Sequence, residues 1–190
     1  MPNKFFPVSV DLNNKNILVI GAGKIALRKV KTLLDYNCNI TVITKEISEE
    51  EFLELEKENK IKILKNQEFE EKFLEGAFLV VSATDNKELN DKISKLCMSK
   101  NILVNNITSQ DNMNLRFMSI LSNDDIQISI TANGNPKKAV EVKNKIKEFF
   151  EKISEFEAKY NSDYIPVSER KKLYKNNVEN NFNYNGWKVK

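Results

Sequence analysis

The residues with the plainest chemical meaning are Gly21, Gly23 and Ala26, a G-x-G-x-x-A run inside "NILVIGAGKIALRK" (16–29), in a chain with only five glycines. At this spacing the first glycine permits a tight turn and the second lets the backbone approach a pyrophosphate. The third small residue lets a helix pack closely on a strand. The helix that follows would turn its free N–H groups toward the phosphates. The pattern is weak alone and gains weight from its setting between an apolar run and a helical period. It makes Gly21, Gly23, Lys24 and Ile25 candidate contacts to a dinucleotide. Thr44, Lys45 and Glu46 join them from the end of a second strand, and Ala83 and Thr84 from the end of a fourth. The acid expected at the second strand's tip to hold a ribose 2′-OH is missing. Thr44 suits a ribose hydroxyl, Glu46 lies slightly late and Lys45 suits a 2′-phosphate, so the residues alone leave NAD and NADP both open.

The chain contains no histidine. Imidazole acid–base chemistry, Ser-His nucleophile pairs and histidine-ligated metals are therefore excluded. Chemistry must run on carboxylates, hydroxyls, amides, lysine or a bound cofactor, and no metal site is expected.

The elements that must position these groups follow from periodicity. Apolar or β-branched runs at 16–20, 39–44, 61–64, 77–84 and 102–106 read as strands. Helical patterns separate them at 24–35, from Ser48 to about 59, at 68–76 and at 86–99, with Ser48 and Glu51 as a capping box. Such alternation predicts an α/β fold, a Rossmann-type parallel sheet with right-handed crossovers. After Ile107 the pattern changes. Residues 115–121 and 126–131 flank the polar turn "SNDD" as a hairpin. A long helix follows, in which Ala139, Val142, Ile146, Phe149, Ile153, Phe156 and Tyr160 form a seam suited to another helix. The expected organisation is a nucleotide-binding domain at 1–112, a hairpin and helical dimerisation region at 113–160, and a short helical tail at 161–190.

Of the 190 residues, 41% are hydrophobic and 30% charged, as in a soluble globular protein, and the net charge of +3 is too small and too interspersed to argue for nucleic acid. No apolar run approaches the roughly 18 residues that span a bilayer. The N-terminus lacks a signal-peptide core, so a cytoplasmic protein is expected. Cys38 and Cys97 read as small apolar residues rather than a disulfide framework.

Taken together, "FPVSVDLNNKNILVIGAGKIALRKVKTLL" (6–34), "LVVSATDNKELN" (79–90), "ILVNN" (102–106) and "SILSNDDIQISITANGNP" (119–136) resemble the precorrin-2 dehydrogenase family, the NAD-binding part of siroheme synthases. The resemblance covers about residues 6–155. It implies oxidation of precorrin-2 to sirohydrochlorin with NAD+ as hydride acceptor. It also implies an intertwined homodimer built on the hairpin and long helix. Two alternatives are a bifunctional dehydrogenase that also inserts Fe2+, and a non-catalytic nucleotide-sensing module. The latter usually carries an acid at the second strand's tip and lacks the hairpin and "NGNP" loop. The family often has an aspartate where this chain has Thr108, and some members have serine where it has Ala132. Asp111, in the same loop, is the substitute acid–base candidate. With Thr108 and Asn105 it completes the catalytic candidates, and Asp85 and Ser109 lie near the same strand ends. Serine and threonine are poor bases without an activating partner, so positioning is expected to dominate. In "NGNPKKA", Asn133, Gly134, Asn135 and Lys137 are the candidate contacts to a substrate rich in carboxylates, with Asn135 as helix N-cap and Pro136 at the first helical position.

Overall fold

The computed structural model describes residues 5–122 and 127–160. Strands β1 (Asn16–Ile20), β2 (Asn39–Thr44), β3 (Lys62–Lys65), β4 (Leu79–Ser82) and β5 (Leu103–Asn106) form one sheet in the order β3-β2-β1-β4-β5. Every pairing in it is parallel. Helices α1 (Lys24–Leu34), α2 (Glu51–Lys57) and α3 (Lys87–Ser99) make the crossovers, with a 3-10 turn at Glu71–Leu74. The strands are apolar on both faces because both are covered. Ile17, Val19, Val42 and Val81 face a core shared with α1 and α2, while Leu18, Ile20, Val80 and Val104 face one that includes Ile93 and Cys97 of α3.

Three local expectations are corrected. Ser48 does not cap α2: its N–H donates to Ala22 O at 3.2 Å, which holds it against the glycine loop, and Glu50 takes the N-cap position without a side-chain bond. The 68–76 segment closes only a 3-10 turn. The fourth strand ends at Ser82, not at Thr84, for a reason that matters to the site below.

The many asparagines have a structural use. Asn59 and Asn101 follow α2 and α3 with φ of 57° and 56°, the left-handed cap position that glycine usually fills. At each, paired backbone bonds close the helix end: Lys60 N–H to Leu55 O with Asn59 N–H to Glu56 O, and Ile102 N–H to Cys97 O with Asn101 N–H to Met98 O. In a glycine-poor chain asparagine is the residue that best tolerates this conformation.

The chain divides into two compact units at Phe117 and Met118. Residues 113–117, expected with the hairpin, belong to the first. Asn114 and Leu115 N–H both donate to Val104 O, and Val104 N–H donates to Asn114 Oδ1 at 2.6 Å, so this segment covers the free edge of β5. In the second unit β6 (Ser119–Ser122) and β7 (Gln127–Ile130) pair antiparallel, and α4 (Pro136–Tyr160) packs on both. Ala139 is buried; Val142, Ile146 and Phe149 are half-buried, and Val140 and Phe150 exposed. The tip of the hairpin turn, the side chains of Ile153, Phe156 and Tyr160, and the expected tail at 161–190 lie outside the described residues.

Burial shifts the ionisation of three groups. The Cys97 thiol is pushed up to about 12 and Cys38 is raised, both chiefly by desolvation, so neither offers a thiolate at neutral pH. Lys29 of α1 is lowered to about 8, first by burial and then by Arg28, while its ammonium lies 4.1 Å from the centre of the Phe117 ring. A lysine held below its unfolded value costs stability below pH 8, and the cost fades as pH rises toward 10.5. Lys29→Met should therefore raise stability at pH 7 by on the order of 2 kcal/mol, allowing for the lost ring contact. The gain should shrink by pH 10. Denaturant midpoints at the two pH values check this; a loss of stability at pH 7 would contradict it.

Candidate functional site

The glycine loop lies at the carboxyl ends of the strands, where α/β sheets bind ligands. Its two glycines serve different masters. Gly21 has φ +104°, and a Cβ there would stand 2.4 Å from Ala83 O and 2.8 Å from Ala83 C. The fold itself forbids a side chain, because the loop is pressed onto the end of β4. Gly23 has φ −94° and ψ 179°, open to any residue, and a Cβ there would meet nothing within 4 Å. The space beside Gly23 is reserved by the backbone, not filled by it. Ala26, 1% exposed, supplies the close helix–strand contact.

The start of α1 is equipped for an anion. Gly23 provides no side-chain cap, and the first turn holds no acidic residue, whereas α2 and α3 carry glutamates there. Its first N–H groups and its dipole are left for a ligand. Lys24 and Ile25 are both exposed at this end.

At the tip of β2, Thr44 is buried and its hydroxyl donates to Glu46 O, which leaves its lone pairs for a donor such as a ribose hydroxyl. Lys45 is paired with Glu68 at 2.7 Å. Gln67 N–H donates to Thr44 O at 3.1 Å and brings Glu68 there. The pair holds Lys45 above and Glu68 below its ordinary range, with Asp85 adding to the field on Lys45. The missing acid of β2 is thus approached from β3, by a residue 22 positions further along the chain than Glu46.

Beyond β4 and β5 the expected catalytic residues differ in burial and in hydrogen bonding. Asn105 is buried, and its amide donates to Leu115 O at 3.1 Å, holding the edge segment. Thr108 donates its hydroxyl proton to Asn106 Oδ1 at 2.8 Å and accepts from Asn90 Nδ2 at 3.4 Å. Asp85 and Asp111 are exposed. In the second unit, Asn133 and Gly134 take φ of 47° and 89°, and Asn135 caps α4, accepting from Lys138 N–H at 3.1 Å. Lys137 is exposed in the first turn. Among the described residues no group of three or more carboxylates, thiols or imidazoles stands as a metal set, and no helix is long and apolar enough to cross a membrane.

Residues 8–119 match a family model described as "Putative NAD(P)-binding". The chain belongs to this NAD(P)-binding family. The siroheme synthase of Mannheimia succiniciproducens is 35% identical over 130 residues, covering 68% of this chain and 27% of that protein. That of Buchnera aphidicola is 36% identical over 130 residues, with the same shares. The chain thus spans about a quarter of the length of these curated relatives. A solved structure, "SirC, precorrin-2 dehydrogenase", superposes with a TM-score of 0.65 at 21% identity, covering 90% of this chain and 88% of that one, which establishes the shared fold. The open approach at Gly23 and the uncapped helix end fit NAD(P), whose pyrophosphate those features would receive.

Besides Glu68, this NAD(P)-binding domain has a second site residue that no sequence motif singled out as functional. Asn90 on α3 is fully buried. Its sequence signal was a polar residue on an otherwise inward stripe: Asn90, Ile93, Ser94 and Cys97 repeat at i, i+3, i+4 and i+7 and are all buried.

Proposed function

We propose that the protein is a precorrin-2 dehydrogenase that uses NAD+ as hydride acceptor. The observation that carries this reading is the open space at Gly23 before an uncapped helix, on a chain whose relatives are siroheme synthases. The reaction removes two hydrogens from the tetrapyrrole: a hydride passes to the nicotinamide and a proton is released. The nicotinamide ring supplies the electron sink when bound. The protein's share is placement. Gly21 to Ile25 receive the pyrophosphate, Thr44 and Glu46 the adenosine ribose, and Ala83 and Thr84 the nicotinamide half. Thr108 is too fully bonded to serve as a base, and Asp85 and Asp111 sit in exposed loops, so the proton leaves to water or to the substrate's own carboxylates. Asn133, Gly134, Asn135 and Lys137 are proposed to meet those carboxylates, and the half-covered seam of α4 is proposed to pair with a second copy in a cytoplasmic homodimer.

The Lys45–Glu68 pair favours NAD+ over NADP+. A 2′-phosphate at the β2 tip would have to compete with Glu68 for Lys45 and face Glu46 and Asp85. In an anaerobic assay with precorrin-2, sirohydrochlorin should form faster with NAD+ than with NADP+ at equal concentration, by about tenfold at low salt, and Glu68→Lys should narrow or reverse that ratio. Absence of sirohydrochlorin with either nucleotide would overturn the functional reading. An unchanged ratio in Glu68→Lys would overturn the nucleotide assignment alone.

A further inference from the structure

The ends of β4 and β5 are joined by a side chain. The backbone ladder between them runs as far as Ile107 N–H to Ser82 O at 3.1 Å. Past that point Asn90 takes over the role of a neighbouring strand. Its Oδ1 accepts from Thr84 N–H at 3.1 Å, and its Nδ2 donates to Thr84 O at 2.9 Å, so one amide satisfies both backbone groups of Thr84. The same Oδ1 accepts from the Ser82 hydroxyl at 2.9 Å and the Thr84 hydroxyl at 2.8 Å, and the same Nδ2 reaches Thr108 Oγ1 at 3.4 Å. Because Thr84 N–H can only donate and Thr84 O can only accept, the orientation of the amide is determined.

The link continues. Thr108 donates through both its N–H and its hydroxyl to Asn106 Oδ1, and Asn106 Nδ2 donates to Asp91 Oδ1 at 2.9 Å. Asn90 and Asp91 are neighbours on α3, so the helix grips the β4 end with one residue and the β5 loop with both. This also explains why β4 stops at Ser82: Thr84 pairs with a side chain instead of with β5. Asn90 is 0% exposed, so it acts through the groups it bonds.

We propose that Asn90 is a positioning residue, its amide clamping the nicotinamide-facing end of β4 to the loop after β5 so that the hydride acceptor and the substrate side of the site keep a fixed register. The kinetic part rests on the dehydrogenase reading; the binding part rests only on the NAD(P) site. A buried, fully paired amide of this kind rigidifies what it joins, and small misplacements at a reacting centre are costly.

The test separates positioning from general damage by using two ligands. NAD+ spans the whole site, whereas ADP carries the adenosine and pyrophosphate but no nicotinamide riboside. In Asn90→Asp, which keeps the shape and the acceptor but loses both donors, NAD+ affinity by titration calorimetry should fall about tenfold, the size expected for one buried hydrogen bond, while ADP affinity stays within about twofold. Thr108→Val removes only the outer link from an exposed residue and is the second variant should Asn90→Asp not fold. It should weaken NAD+ about threefold with ADP unchanged and, in turnover, lower kcat about tenfold with little change in KM for NAD+. Thr108→Ser, which keeps the hydroxyl, should restore both. Equal weakening of NAD+ and ADP, or wild-type NAD+ affinity in Thr108→Val, would overturn the proposal. Selective loss of NAD+ without precorrin-2 turnover in the wild type would uphold it and reject the dehydrogenase reading instead.

Discussion

A Gly23→Val protein should fold and should not bind NAD+. The backbone at Gly23 is extended, and a Cβ there meets no protein atom within 4 Å. The cost to the fold is therefore limited to a poorer helix N-cap, about 1 kcal/mol. The cost to binding is much larger. Valine's two methyls would occupy the space that lets a pyrophosphate reach the N–H groups of α1. Affinity for NAD+ should fall at least about 100-fold, measured by calorimetry on a protein whose melting temperature lies within a few degrees of wild type. Retained affinity in such a protein would show that the ligand is held elsewhere.

Gly21→Ala should do the reverse, damaging the fold before the site. Its Cβ would fall 2.4 Å from Ala83 O and 3.1 Å from Thr84 N, both backbone atoms. Neither can yield cheaply. Ala83 N–H donates to Ile20 O at 2.9 Å and Gly21 N–H to Ile43 O at 2.8 Å, so the loop is fastened to β2 and β4 together. The φ of +104° adds strain for any residue with a side chain. A loss of about 3 kcal/mol or more is expected, which for a domain of this size lowers the melting temperature by on the order of 10 °C. Thermal unfolding followed by circular dichroism checks it; a melting temperature within about 3 °C of wild type would mean that the loop has more freedom than its packing allows. One glycine is thus kept for the protein and one for the ligand, although the G-x-G pattern treats them alike.

How much of this was legible depends on the range of the interaction. The alternation of strands and helices, the glycine loop, the hairpin and the long helix α4 are periodic or local, and each was readable in consecutive residues. The cap of α4 by Asn135 was also readable, because its signal lies within four residues. Pairings between distant segments were not. Nothing near Lys45 announces Glu68, which arrives only because Gln67 is bonded to Thr44 across two strands. Ser48 looked like a cap until the glycine loop claimed its N–H. Thr108 and Asn105 attract attention as polar residues at strand ends, yet both spend their hydrogen bonds on the backbone or on neighbouring amides. The hidden signal at Asn90 was a polar residue on an apolar stripe, which a reading tuned to hydrophobic period passes over.

The most direct measurement of the central claim is a single anaerobic turnover with precorrin-2 limiting and protein and NAD+ in excess, following NADH and sirohydrochlorin in the same sample. The account predicts one NADH for each sirohydrochlorin, appearing together and only when the protein is present. Sirohydrochlorin formed without NADH, or precorrin-2 left unchanged by a protein that binds NAD+ tightly, would contradict it.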